Sequence, residues 1–571
     1  MTGRAAETTI VVCGAGINGA ALARELLLSG VSVIVVDTHD IACGATAWST
    51  RLVHGGLRYL EYGEIGLVRE SLVERGRLVR LAPHLVKRLE FYLPVAGRLG
   101  GLAAAATRLL GLESLARAWR GERGRGSWAI AVGLTLYDLL AAGSGWPRHR
   151  MSRAGRPGQP AVDAARYPLA GIYSDAQMLF PERFTVELLV DAQRIARETG
   201  ARFSLLTHHA ARLRPDRTLQ IAPLADTRQG EGGIEVEPAA IINATGAWVD
   251  RTLAGMLPSE PPPPLIGGTK GSHLLLRSPA LRSLLGDDGV YAEAADGRPV
   301  FVLPFGERLV LVGTTDIPFT GDPASARADE AEIEYLLGAV ARLFPAAPPQ
   351  RAEVTQHYCG VRPLPAVGAA GAPAAITRRH LLVRQRESIV PCWSIVGGKL
   401  TTCRSLAETA AREVLGALGI PVLATSRDRP LPGACAGPSS AAAEQLASDR
   451  LIAAGLSADA ARGTAQRLVG LFGSRAPDVC ADLEPHAALI AETGLPVAAV
   501  RWCVREEWAA SLEDVIERRL MLSFDDRLTR KAIADVAQAL VQEGVLRPEG
   551  LAADMDGFIR HLRDRYGKDV R

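Results

Sequence analysis

Two stretches of this chain have residue types and spacings that could do chemistry. The first is Gly14-x-Gly16-x-x-Gly19, followed by Asp37. Gly14 allows a tight turn, Gly16 lets the backbone approach a pyrophosphate, and Gly19 lets a helix pack closely on a strand. A helix beginning there turns free N–H groups toward phosphates, and an acid at the position of Asp37 can accept from a ribose hydroxyl. The second is Thr46–Tyr62, TAWSTRLVHGGLRYLEY, a loop dense in hydroxyls, glycine pairs and cations. Such a loop beside a cofactor is a place for site chemistry.

The elements that must position these residues can be read from periodicity. Thr8–Cys13 is a short β-branched strand, and Ala20, Leu22, Ala23, Leu26 and Leu27 mark a helix that Gly30 closes. Val31–Val36 is a second buried strand ending at Asp37, which completes a βαβ dinucleotide-binding unit. Helical spacing recurs at Glu64–Leu81, Phe184–Glu198 and Arg404–Leu418. Asn243-Ala-Thr245-Gly246-Ala-Trp248 ends one strand, and Ser394–Val396 is another, running into Gly397-Gly398-Lys399-Leu400-Thr401-Thr402. From Ser272 the pattern turns β-rich, with a hairpin signal through Gly306. After a Pro/Gly/Ser-rich linker at Arg427–Ser440 almost everything is helical, including Ser511–Leu522. The expected fold is α/β: a Rossmann-like cofactor domain interwoven with a β-rich substrate domain, plus an all-helical C-terminal domain. The expected boundaries are 1–80, 185–255 and 356–426 for the cofactor domain and 81–184 and 256–355 for the substrate domain. The linker is 427–440 and the helical domain 441–571.

Composition narrows the function classes. A chain of 571 residues, 48% hydrophobic and 22% charged, is an ordinary multi-domain α/β protein. A net charge of +3 is too small for general nucleic-acid binding, and no basic stripe alternates with aromatics. The eight cysteines are scattered with no C-x-x-C pair, which argues against metal ligation and for free thiols in a reducing cytosol. The apolar N-terminal stretch belongs to the βαβ unit, so no signal peptide is expected. No run reaches the about 20 apolar residues of a membrane span; Trp128–Ala142 comes nearest and is interrupted by Asp138. Gly97–Arg125, with six arginines and two glutamates, suits a helix lying on an anionic lipid surface or a solvated cover.

These motifs, in this order, resemble the FAD-dependent glycerol-3-phosphate dehydrogenase family of the two-domain flavoprotein oxidoreductases. The likeness rests on CGAGINGA, HGGLRYLE, Tyr173-Ser-Asp175, NATGAW, KGSH at Lys270–His273, VGTTD at Val312–Asp316, CGVRPL at Cys359–Leu364, AITR at Ala375–Arg378 and GGKLTT. In the tail, Val504–Trp508 and Ser511–Val515 with Arg518 and Arg519 also fit. The chain departs from the family pattern at Phe180-Pro-Glu-Arg183, at Cys359, at Arg51 where lysine is common, and in a longer Gly97–Trp128 region.

The resemblance implies FAD, held by Gly14, Gly16, Asn18, Gly19, Asp37, Thr46, Ser49, Ala210, Thr245, Gly246, Gly398, Lys399, Leu400 and Thr401. N–H groups and Lys399 at the late glycine turn would stabilise negative charge on the reduced ring. It also implies oxidation of sn-glycerol 3-phosphate to dihydroxyacetone phosphate, by hydride transfer from C2 to flavin N5. Phosphate favours guanidinium forks, so Arg58 and Arg378 are expected to bind it with help from Lys270. Arg362 is expected nearer the reacting hydroxyl, and Thr315 to orient substrate or to cap a strand end. The proton acceptor is assigned to His54, whose imidazole titrates near neutrality, with Lys399 or a water held by Arg362 as alternatives. Quinone is the expected electron acceptor, with oxygen the alternative, and peripheral membrane contact and a homodimer are carried as further expectations. Localisation would then be cytoplasmic, or peripheral on the inner membrane face. The rival readings are an amine or 2-hydroxy-acid oxidase of the same fold, and a flavoprotein scaffold without turnover.

Overall fold

A computed structural model of the protein describes residues 7–97, 127–224, 233–257, 263–366, 380–434 and 440–570. Strands Thr9–Cys13 and Ser32–Val36 pair in parallel, joined by the helix Ile17–Leu27, as the periodicity predicts. Ala240–Asn243 and then Cys392–Val396 extend the sheet in parallel beside Thr9–Cys13, and Phe203–Leu206 does so beside Ser32–Val36. Leu381–Gln385 closes this six-stranded sheet as an antiparallel edge. Its strands are near-continuous Val/Ile runs because both faces are covered. On the helix, Ala20, Ala21 and Ala23 are buried. Small side chains there let the neighbouring helices Pro181–Thr199 and Cys403–Ala417 come close.

The second layer is a ten-stranded sheet. Its path runs Ile317–Pro318, Thr269–Leu276, Leu309–Gly313, Pro299–Phe305, Gly289–Glu293, Val86–Val95, Leu169–Met178 and Leu52–Val53. Val354–Arg362 pairs along Thr269–Leu276, and Arg150–Arg153 along Leu169–Met178. The hairpin expected through Gly306 is present, with Phe305 opposite Leu309. Leu52–Val53, and Val354–Arg362 from its third residue on, fall in segments expected for the cofactor domain and pair in this larger sheet. An apolar run marks a strand but does not say which sheet takes it.

The tail is helical, with Ser440–Ala453, Ala458–Phe472, Ala498–Glu507, Arg530–Gln542 and Leu551–Tyr566 around their own apolar core. Ser511–Leu522, expected as a regular helix, is a π-helical turn at Asp514–Arg519, with Met521 left-handed beyond it. Between core and tail, the stretch read as a linker is packed as far as it is described: Arg429 binds Asp191 and Glu198, and Leu431 is buried. The basic segment 98–126 and Arg378 lie outside the described residues; the helix Ser127–Leu140 follows the first of them. Among the described residues, no helix is long and apolar enough to cross a membrane.

Candidate active site

One cavity of about 1600 Å³ runs from the glycine fingerprint to the meeting of the two sheets. At its first end, Gly14 is left-handed at φ +109°, and a Cβ there would lie 2.6 Å from the Ala244 carbonyl oxygen. Gly16 precedes the helix in extended conformation, and the Ile17 N–H donates to Thr46 Oγ1 at 3.1 Å. Asp37 accepts from the backbone N–H groups of Ala15 (2.7 Å) and His39 (2.9 Å). Burial nevertheless raises its pKa against those donors. Asn18 Nδ2 donates to the Gly397 carbonyl at 3.2 Å, tying the first glycine turn to the last. Gly397 and Gly398 both sit at positive φ, +81° and +99°, which only glycine adopts at little cost.

At the other end the cavity is lined by His54, Arg58, Lys399 and Arg362. Thr401 Oγ1 accepts from the His54 N–H at 3.1 Å and lies 3.3 Å from the His54 carbonyl, to which it donates. Lys399 Nζ stands 3.8 Å over the Tyr59 ring. Arg58 Nε is buried and has no hydrogen-bond partner among the described residues. Arg362, at the end of its strand, donates to Asp316 (3.1 Å), Thr314 Oγ1 (2.8 Å) and the Thr315 carbonyl (3.1 Å). Its guanidinium lies across Gly271, where a Cβ would stand 2.2 Å from Nη2. The glycine of KGSH is therefore the space the arginine occupies.

Every residue expected to touch the cofactor lines this cavity except Gly19. A Cβ on Gly19 would sit 1.9 Å from the Gly14 carbonyl oxygen, so it serves helix–strand packing. Two residues expected at the substrate stand off the cavity lining. Lys270 does not line the cavity; its ammonium binds Glu332 (2.7 Å), Asp329 (3.2 Å) and the Arg327 carbonyl (3.1 Å). Thr315 is buried and donates to Glu332 Oε1 at 2.6 Å. On the strand Thr269–Leu276 the reason is alternation: Gly271 and His273 line the cavity while Lys270 and Ser272 face Glu332. Just past the strand ending at Gly313, Thr314 and Asp316 line the cavity while Thr315 joins Glu332.

Sequence reasoning missed His273, although its motif was in view. The ring is buried, stacks on Tyr358 at 4.8 Å, and exchanges a 2.9 Å hydrogen bond with Thr50 Oγ1. Burial, then the charges of Arg362 and Arg51, hold its pKa well below the usual range, so it is neutral. It also missed why the departures occur together. Arg51 is fully buried and donates twice to Glu182 (2.6 and 2.8 Å), while Phe524 of the helical tail lies 4.3 Å from its guanidinium. Arg183 makes a second buried pair with Glu507 of the tail. Arg51 lines the large cavity, whereas Glu182 and Arg183 do not and pack between the units.

This arrangement of glycine turns, acid and crossing helix defines the class. Residues 9–385 match the FAD-dependent oxidoreductase family model, and residues 424–545 match that of the C-terminal domain of alpha-glycerophosphate oxidase. The chain is 33% identical to a Synechocystis glycerol-3-phosphate dehydrogenase, over 93% of this chain and 92% of the relative. It is 32% identical to the aerobic glycerol-3-phosphate dehydrogenase of Escherichia coli, over 71% and 73%. A D-erythritol 1-phosphate dehydrogenase of Brucella abortus is 30% identical over 89% and 93%. A crystal structure of a Bacillus halodurans glycerol-3-phosphate dehydrogenase with FAD shares the fold, with TM-score 0.69 and 21% identity over 98% and 96%. The chain belongs to the FAD-dependent oxidoreductases and, within them, to the glycerol-3-phosphate dehydrogenase family.

Proposed function

We propose that the protein oxidises sn-glycerol 3-phosphate to dihydroxyacetone phosphate and passes the electrons to a quinone. The observation that carries the reading is that Arg58, Arg362 and His54 line the same cavity as the dinucleotide fingerprint. The residues present fit FAD: two left-handed glycine turns, a helix N-terminus and Asp37 border one continuous space. Gly14, Gly16 and the N–H groups of the helix Ile17–Leu27 would hold the pyrophosphate, and Asp37 the ribose. Thr46, Thr245 and Gly398 line the space between the two ends. When bound, FAD accepts the hydride that leaves the substrate's C2.

The chain's own residues do the rest. Arg58, with Arg378, binds the phosphate dianion, and Arg362 holds the C2 oxygen so that the C–H bond faces the cofactor. His54 takes the hydroxyl proton on its imidazole. Asp316 and Thr314 fix the Arg362 guanidinium against rotation. Anaerobic addition of glycerol 3-phosphate to the yellow holoenzyme should bleach the flavin band; a band that stays unchanged sinks the reading. The four-carbon D-erythritol 1-phosphate is the second reading, favoured by the Brucella relative, and a ratio of kcat/KM for the two substrates separates them.

Peripheral membrane contact is supported by one helix. Trp128, Val132 and Leu139 of Ser127–Leu140 are exposed on one face, at 61%, 62% and 67%. An apolar stripe of this kind lies down in a lipid interface. Turnover with a quinone analogue should exceed turnover with oxygen, and lipid vesicles should pull the protein down with them.

A further inference from the structure

The opposite face of that same helix points at the reaction centre. Ile130, Leu134 and Tyr137 are buried, spaced four and three residues apart, so one helical stripe faces inward. Tyr137 carries its hydroxyl to the backbone of the loop that presents His54. The Gly55 N–H donates both to Tyr137 Oη (3.0 Å) and to Asp175 Oδ1 (3.1 Å). Tyr137 in turn donates its own proton to Asp175 Oδ1 at 2.7 Å. Arg75 completes the group with bonds to the same carboxylate oxygen (2.6 Å) and to the Ser174 carbonyl (2.7 Å). Arg75, Tyr137 and Asp175 are all buried.

The fit is close enough to dictate the sequence of the loop. A Cβ on Gly55 would stand 2.3 Å from the Tyr137 hydroxyl and 2.5 Å from a Leu72 methyl, so a larger residue there must displace both side chains. On its other side the loop is gripped by Thr401, through both backbone groups of His54. The peptide carrying the imidazole is thus stretched between the loop that would meet the flavin ring and a helix that reaches the surface. Burial, then the Asp175 carboxylate, keeps the phenol protonated, so the hydroxyl stays a donor across the working pH range. No substrate contact is needed for this role, because the hydroxyl has both of its bonds inside the protein.

We propose that Tyr137 is a positioning residue: its hydroxyl, braced by Asp175, sets where His54 stands relative to the substrate's C2 hydroxyl. The inference rests on the reading of the cavity as an alcohol-oxidising site. It separates shape from hydrogen bonding, since Tyr137→Phe keeps the ring that packs on Tyr173 and removes only the oxygen. A purely structural tyrosine would tolerate that change; a positioning one would not.

The test is anaerobic stopped-flow reduction of wild-type and Tyr137→Phe holoenzyme by glycerol 3-phosphate, unlabelled and deuterated at C2. The variant should retain its FAD and its apparent substrate dissociation constant to within about twofold. Its limiting reduction rate should fall by about 10- to 100-fold, the scale of a small misplacement of reacting groups, with the C2 isotope effect undiminished. Hydrogen–deuterium exchange over residues 52–60 should quicken. Equal reduction rates in the two proteins overturn the proposal, as does a slower rate that tracks loss of FAD or of substrate affinity. If the wild type itself is not reduced, the functional reading fails instead, and the two failures are told apart.

Discussion

Asp40 should be worth more to this protein than an exposed ion pair of equal geometry, and the difference is one of burial. The carboxylate is 1% exposed and lies three residues beyond Asp37, on the loop that leads to the hydroxyl-rich site segment. It takes Arg518 Nε at 2.7 Å and Arg519 Nη1 and Nη2 at 2.6 and 2.8 Å, both arginines belonging to the π-helical turn of the tail. In Asp40→Ala, Arg518 would keep Glu513 at 2.8 Å, with Asp514 and Glu517 at 3.4 Å. Arg519 would keep one backbone acceptor, the Glu507 carbonyl at 2.9 Å. Stranding a buried guanidinium costs about 3–5 kcal/mol. Arg351 and Glu330 also form a two-bond pair, at 2.8 and 3.0 Å, but their side chains are 51% and 68% exposed. Solvent screening limits such a pair to about 0–1 kcal/mol. Calorimetry should therefore show the first unfolding transition of Asp40→Ala lowered by roughly 10 °C, and that of Arg351→Ala lowered by a few degrees at most. Equal shifts in the two variants would refute the argument that burial, rather than bond count, sets the energy. Replacing Asp40 and Arg519 together by leucine should recover much of the loss, because no charge is then left buried alone.

Three shorter predictions follow from the same geometry. Arg362→Ala should bind FAD normally yet lose about 100-fold in kcat/KM for glycerol 3-phosphate; full turnover in a flavin-loaded variant would remove Arg362 from the chemistry. Gly19→Ala should purify colourless, because its Cβ would meet the Gly14 carbonyl at 1.9 Å, and a yellow variant of wild-type stability would contradict that packing. His561 is pulled down by burial but raised overall by the Glu517 carboxylate, 2.8 Å from Nε2. A raised folded-state pKa stabilises below the unfolded value of about 6.5. The stabilisation is lost as pH climbs through the folded value. The stability gap between wild type and His561→Gln should then be widest near pH 5–6 and close toward pH 9 in urea titrations.

The parts of this molecule legible in the sequence are those where a local pattern and a local requirement coincide. Gly14, Gly16 and Asp37 could be assigned because turn, helix N-terminus and acid must follow one another along the chain. Lys270 and Thr315 stand off the cavity lining: a motif names residues without saying which face of a strand one such as Lys270 occupies, and Thr315 lies just past the end of its strand. Counting by twos from Gly271, the residue that admits the Arg362 guanidinium, would have separated His273 from Lys270. The two sheets were legible as strands but not as sheets: Val354–Arg362 lies in the chain beside the cofactor segments and pairs elsewhere. Nothing local distinguishes Arg51 from an ordinary cation. Its partners Glu182, Tyr358 and Phe524 are scattered over three units and meet only in the folded protein.

That convergence shows how parts distant in the chain hold one segment of the cavity wall. The segment from Asp37 to Gly56 carries Asp37, Thr46, Ser49 and His54 on the cavity lining, and every unit of the protein holds it somewhere. The six-stranded unit supplies Thr401, the larger sheet Asp175, the surface helix Tyr137, and the helical tail Arg518, Arg519 and Phe524. Arg51, standing where the resemblance expects lysine, asks for a bidentate acceptor, and Glu182 in the first turn of the helix Pro181–Thr199 supplies it. The substitution is not conservative in isolation, since a guanidinium needs its planar fork satisfied. It becomes tolerable only as a pair, in which Arg51 lines the large cavity beside Ser49 and Thr50 while Glu182 stands behind it. Loss of the tail should accordingly be felt first in cofactor retention rather than in substrate binding, because its arginines grip the loop at the Asp37 end.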